Sequence, residues 1–269
     1  MVKYGYDKGL AAGSIAAGGT LGILIPPSVM LVIYGILTQS SIGKLFAAGI
    51  IPGIIGIVFY LAAVQVVIRI NPKLGPPGER VSWARRIESL KGVWGVITLF
   101  IFVMGGIYGG IFSPTEAAGI GAFGAFIFAV SRKTLTLKIF YEVLIESAST
   151  TAMLFTVLIG ALLFANFINL TTFPDALLAI AGNFRDQPQL VIIAILIIYL
   201  LLGCIFESLS MILLTVPLFF PLVQELGFDP IWFGIVVVVI TEISLITPPV
   251  GLNVFVLRGV LPDVPTSLI

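Results

Sequence analysis

Residues 241–254, Thr-Glu-Ile-Ser-Leu-Ile-Thr-Pro-Pro-Val-Gly-Leu-Asn-Val, hold the polar groups best suited to chemistry. They lie in an apolar run over 231–258 that is long enough to enter a bilayer. Pro248 and Pro249 have no N–H and their rings clash with the preceding turn, so a helix must break there. In hydrocarbon an unpaired carbonyl costs several kcal/mol, so such a break survives only buried in protein or lining a wet cavity. Thr247, Gly251 and Asn253 supply a hydroxyl, bare backbone and an amide at the break. These are hard oxygen ligands for a cation or a polar substrate near the midplane. A plain proline kink packed by its neighbours is the alternative.

A second copy favours the site. Gly5-Tyr6-Asp7 is followed after eighteen residues by Pro26-Pro27, and Gly227-Phe228-Asp229 after eighteen by Pro248-Pro249, at a constant offset of 222. Paired, proline-interrupted apolar segments point to a transporter's binding site. For a coupling cation the break chemistry suits Na⁺. The candidate ligands are Gly22, Ile25, Pro26 and Ser28 at the first break, mostly through backbone. Thr247, Pro248, Gly251 and Asn253 serve the second, with Ser208 and Ser210 approaching from a neighbouring hairpin. Glu242, about one turn before the second break, and Glu207 are candidates for substrate contact or gating, since intramembrane carboxylates are costly to keep. Asn166 and Asn169, near the outer end of their segment, suit an interfacial role and a functional one equally, while Glu142 and Glu146 at its inner boundary read as solvated.

The elements that must hold these groups are helices in a membrane. Hydrophobic residues make up 59% of the chain against 10% charged, and the mean hydropathy is +1.17. A soluble globular domain is excluded, and an all-α polytopic bundle in the lipid bilayer is expected. The net charge of +1, with no basic patch interleaved with aromatics, argues against nucleic acid. With one cysteine and no histidine, internal disulfides, transition-metal sites and His-based triads are excluded. No Walker motif, nucleophile–base pair or other phosphate cradle is present. The chain reads as a non-enzyme without an organic cofactor.

Apolar spans are expected at 10–38 (broken at Pro26-Pro27), 45–70, 92–112, 115–131, 143–169, 189–206, 208–224 and 231–258 (broken at Pro248-Pro249). The pair 189–206 and 208–224, with Pro217 and Pro221 interrupting its second half, reads as a re-entrant hairpin with Glu207, Ser208 and Ser210 near the tip. A proline-kinked spanning pair is the alternative. The chain divides into a first broken helix (1–40), connecting and scaffold helices (41–188), and a second-repeat hairpin and broken helix (189–269). Ser113-Pro114-Thr115-Glu116 reads as a helix start: Ser113 the N-cap, Pro114 the first helical residue, Glu116 closing a capping box. The competing reading is a gating carboxylate. A short surface helix is expected within 71–91, and the small residues of 11–22 and 105–110 are expected to let helices approach closely. If the basic loop 69–91 is cytoplasmic, all but Lys44 and Arg185 of the 14 basic residues face inside. The two broken helices then run in opposite directions, as inverted repeats.

The motifs GYDKGLAAGS (5–14), LIPPS (24–28), SPTEAA (113–118) and TPPVGLN (247–253) resemble the large membrane subunit of tripartite ATP-independent periplasmic (TRAP) transporters over essentially the whole chain. The resemblance implies a Na⁺-coupled importer of organic acids, such as C4-dicarboxylates, sialic acid or other sugar acids, in a bacterial or archaeal cytoplasmic membrane. It implies a periplasmic substrate-binding protein, a small membrane subunit bound or fused, and elevator-like motion with two Na⁺ sites at the repeats. It further implies helices before Met1, including a first hairpin, and a last helix after Ile269. The 269 residues alone are therefore expected not to transport. A membrane scaffold, or an ion-coupled anion transporter working without a binding protein, are the competing readings.

Overall fold

Helix ends fall where prolines and short polar residues put them. The computed structural model describes residues 1–78, 82–182, 184, 186–247 and 251–261. They form α1 (Lys8–Leu24), α2 (Val29–Thr38), α3 (Ile42–Ile70), α4 (Trp83–Lys91), α5 (Trp94–Tyr108), α6 (Pro114–Ser131), α7 (Leu137–Asn169), α8 (Phe173–Gly182), α9 (Pro188–Leu202), α10 (Ser208–Glu225), α11 (Pro230–Ile246) and α12 (Leu252–Val260), and no strand occurs among them. The joined α1–α2, and α3, α6, α7 and α10, are each long and apolar enough to cross a membrane; α4 and α5 add a sixth span if their 65° bend is one broken crossing. The protein is an all-α polytopic membrane protein. Two compact units divide it, residues 1–77 with 157–269 and residues 78–156, the boundary falling inside α7.

In the first unit the sequence repeat is a structural repeat. Gly5 and Gly227 adopt φ of +80° and +81°, a region closed to most side chains, and turn the chain into the helix that follows. The Asp7 carboxylate accepts from the N–H groups of Gly9 (2.8 Å) and Leu10 (3.1 Å), and Asp229 from that of Trp232 (2.8 Å). Each aspartate opens a helix of 17 residues. Each helix ends on an extended residue, Ile25 (ψ 125°) and Thr247 (ψ 135°). The offset of 222 thus holds at both ends of α1 and α11.

The two copies run antiparallel. Asp7 N–H donates to Leu74 O (2.9 Å) and a Cβ on Gly49 would lie 3.1 Å from Leu24 O, so α3 returns alongside α1 with its start at the end of α1. The beginning of α11 sits at that same end. A Cβ on Gly234 would meet the Tyr34 ring at 2.5 Å and Leu45 at 2.9 Å, and the Tyr34 hydroxyl donates to Pro230 O at 2.7 Å. α1 and α11 pack on each other, and they do so head to tail.

Three expectations change. Close approach along 11–22 holds for the buried Ala11, Ala12, Ala16 and Thr20, whereas Gly18, Gly19 and Gly22 have open space beside them. The tight contact comes instead from α3, whose Gly49, Gly53 and Gly56 face Leu24, Ile25 and Leu21. In 105–110, Gly106 lies under the Phe112 ring while Gly105 and Gly110 are open. Pro217 and Pro221 do not interrupt α10, which runs unbroken over 18 residues. A single proline removes one hydrogen bond, and burial of Leu213, Val216, Phe219 and Leu222 holds the helix through it. A double proline removes two successive bonds and forces the preceding residue out of the helical region. Last, 170–188 contains a helix, α8, that no apolar span announced.

In the second unit the predicted surface helix is α4, and α5 and α6 pair through the predicted cap. Ser113 N–H and Oγ–H both donate to Glu116 Oε2 (2.7 and 2.8 Å), and Glu116 N–H donates back to Ser113 Oγ (3.3 Å). Pro114 stands at the first helical position, where a missing N–H costs nothing. Glu116 serves as a capping group.

Candidate functional site

At the first break, prolines 26 and 27 deprive the carbonyls of Gly22 and Ile23 of their helical donors. The Ser28 hydroxyl donates to Ile23 O and accepts from Leu31 N–H (3.3 Å), so one buried side chain quenches a freed carbonyl and caps α2. One lone pair of its oxygen stays uncommitted. Gly22 is exposed with open space at its Cα, Ile25 is half-buried, and Pro26 is buried beside Gly49. The break is therefore walled by α3 on one side and carries the main-chain oxygens of Gly22, Ile25 and Pro26 with the hydroxyl of Ser28.

At the second break Thr247 closes α11. Its N–H donates to Ser244 O (3.3 Å) and its hydroxyl to Ile243 O (2.6 Å), leaving the hydroxyl lone pairs free. The tip of the α9–α10 hairpin meets this break. Gly203 is seated so closely on α11 that a Cβ there would lie 1.8 Å from Ser244 Oγ, and Cys204 Sγ is 4.0 Å from Thr247 O. Ser244 is fully buried and donates to Thr241 O (2.6 Å). Gly251 is buried at φ +61° and opens α12, with Asn253 half-buried in its first turn. Pro248 lies outside the described residues.

The hairpin itself is antiparallel. The hydroxyls of Tyr199 and Thr215 are 2.6 Å apart and the Tyr199 and Phe219 rings are in contact. Ser208 is buried at the start of α10 and Ser210 half-buried. Glu207 is exposed and caps α10, accepting from Ser210 N–H at 3.2 Å. With 15 residues, α9 reaches about 22 Å, short of the roughly 30 Å of hydrocarbon, whereas its partner α10 is long and apolar enough to cross.

Glu242 is the odd group in this region. It is 6% exposed, and neither of its oxygens has a hydrogen-bond partner among the described residues. The neighbouring Thr241 hydroxyl is fully buried and likewise has no partner among the described residues. A buried carboxylate without a donor costs several kcal/mol, so it persists only where a proton, a cation or a donor meets it. Thr241 and Ser244 lie in the stretch singled out first but were not named as ligands, although with Glu242 they fall within one turn of an otherwise apolar helix; Cys204 was read only as an apolar-run cysteine. By contrast Asn166, Asn169, Glu142 and Glu146 are exposed, and Glu142 pairs with Lys138 at 3.8 Å.

The structure thus gathers Ser244, Thr247 and the hairpin tip at Gly203 and Cys204 around one break. It leaves Gly22, Ile25, Pro26 and Ser28 at another with a different wall, and no described hydrogen bond joins the two. Comparison with known sequences fits this arrangement to a family. The family model described as "Tripartite ATP-independent periplasmic transporter, DctM component" matches residues 1–268. The chain belongs to the DctM family. It is 39% identical to the C4-dicarboxylate TRAP transporter large permease protein DctM of Pseudomonas aeruginosa, over 97% of this chain and 61% of that protein. Its identity to the isethionate TRAP transporter permease protein DctMQ of Oleidesulfovibrio alaskensis is 36%, over 97% and 41%. With the sialic acid TRAP transporter large permease protein SiaM of Vibrio cholerae it shares 33%, over 97% and 60%. The chain therefore spans about 60% or less of the length of these DctM-family relatives, and both proline breaks lie within the matched residues.

Proposed function

We propose that this chain forms part of the membrane permease of a secondary active, Na⁺-coupled importer of small organic acids in a bacterial or archaeal cytoplasmic membrane. A periplasmic binding protein delivers the substrate, and a small membrane subunit, separate or fused, completes the permease. The observation that carries the reading is the antiparallel pair of 17-residue helices, each entered through Gly–aromatic–Asp and each ended by a double proline. Inverted, discontinuous helices offer freed carbonyls and hydroxyls to a cation. The relatives' names, with C4-dicarboxylate, isethionate and sialic acid among them, support an organic acid as the substrate class.

Na⁺ is held in two places. Gly22, Ile25, Pro26 and Ser28 bind one ion, and Thr247, Pro248, Gly251 and Asn253 bind the other with Ser208 and Ser210. Both sites use hard, mostly neutral oxygens, and no organic cofactor or bond-breaking chemistry takes part. Glu242 and Glu207 contact substrate or gate it as the hairpins and broken helices slide, elevator-fashion, against the remaining scaffold.

Uptake of a labelled C4-dicarboxylate into proteoliposomes, using the full-length permease, small subunit and binding protein, tests this reading. Ser28→Ala and Thr247→Ala are each expected to raise the Na⁺ concentration for half-maximal uptake about tenfold, the worth of one good hydrogen-bond-grade ligand. Glu242→Gln should lower maximal uptake while Na⁺ dependence persists. An unchanged Na⁺ dependence in both alanine variants sinks the site assignment.

A further inference from the structure

A cleft of about 270 Å³ opens between α5 and α6, walled by Val96, Leu99, Ala125, Phe128 and Ala129, with Arg132 at one end. Gly95 brings the helices close there, since a Cβ on it would lie 3.2 Å from the Phe128 ring, and Trp94 meets the same ring edge-on. The Arg132 guanidinium donates to Gly92 O at 3.5 Å. That long contact leaves most of its five donors open at the mouth.

The mouth adjoins α4, and α4 belongs at a membrane surface. Trp83, Ile87 and Leu90 recur at helical spacing and are exposed, whereas Arg85, Arg86 and Lys91 oppose a single acid, Glu88, on that helix. Four charges in nine residues bar it from hydrocarbon, and the 65° bend between it and α5 turns it out of the spanning direction. Arg86 lies over the Trp83 ring at 4.8 Å, which holds a guanidinium at headgroup level. Lys91 and Lys133 flank the mouth in sequence.

We infer that this cleft binds an anionic glycerophospholipid, one acyl chain between α5 and α6 and the headgroup phosphate on Arg132 and the basic side of α4. The two halves of the site call for one amphiphile. A free phosphate would satisfy the arginine and leave the apolar walls bare, and an apolar helix from another subunit would fill the walls and leave Arg132 without an anion. Guanidinium forks match phosphate oxygens and acyl chains match Val96, Leu99 and Phe128.

Native mass spectrometry of the full chain in neutral detergent tests it, with equimolar phosphatidylglycerol and phosphatidylcholine supplied. The parent should retain phosphatidylglycerol over phosphatidylcholine by about fivefold, the worth of one exposed ion pair at its best. Arg132→Gln should bring that ratio to about one, Arg132→Lys should keep most of it, and circular dichroism should show unchanged helix content. Ala125→Trp, which alters no charge and fills the cleft, should remove both lipids. No preference in the parent, the same ratio in Arg132→Gln, full retention in Ala125→Trp, or a second polypeptide in place of lipid would each overturn the assignment.

Discussion

A single missing Cβ decides whether the hairpin tip can sit on the second break. Gly203 is held against Ser244 with no room for a methyl group, which would lie 1.8 Å from Oγ and 2.4 Å from Cβ of that serine. Gly203→Ala must therefore push the tip off α11, and with it Cys204 and Ser208. Uptake by the full-length transporter is expected to fall at least about tenfold, since small misplacements near a site cost that much or more. Ser244→Gly on its own costs about 1 kcal/mol of helix stability. Combined with Gly203→Ala it should restore part of the uptake, and a double-mutant cycle measures the coupling. Additive losses would mean that the two residues do not meet. This contact was illegible in the sequence because it joins positions far apart in the chain and one partner is a glycine. The Ser113–Glu116 box was legible because its whole chemistry lies within four consecutive residues.

At the scale of elements, local grammar set most boundaries. The capping box placed the start of α6 and the double prolines the ends of α1 and α11 as expected, while the caps at Asp7, Ser28 and Asp229 emerged only in the structure. Two elements escaped for opposite reasons. Isolated prolines look like breakers, yet α10 passes through both because its faces are buried in the protein. α8 is only 10 residues long and starts at Phe173-Pro174-Asp175, which reads as a turn in isolation. The cap on α6 offers a stability test. Ser113→Ala removes one hydroxyl that takes part in two bonds and should cost about 1 kcal/mol. Thermal unfolding in detergent should drop by a few degrees, while Na⁺-dependent uptake at low temperature stays intact. Loss of uptake with an unchanged melting temperature would instead give Glu116 a functional role beyond capping.

For the whole molecule, direction across the membrane is the property on which the transport account turns. Counting lysines and arginines predicted that the two broken helices point opposite ways. The packing of Gly49 beneath Leu24 and of Gly234 beneath Tyr34 and Leu45 lays α1 and α11 head to tail. How the oxygens at the breaks divide between cation and substrate was not legible, because it depends on which walls surround each break. The most direct check is sided labelling of the two helix entrances. In a cysteine-free background of the full-length transporter, with Cys204→Ala among its changes, Tyr6→Cys and Phe228→Cys are exposed one at a time to a membrane-impermeant maleimide, in intact cells and in inverted vesicles. The account predicts reaction of Cys at position 6 only from the cytoplasmic side and at position 228 only from the outside. Reaction of both from the same side would contradict it.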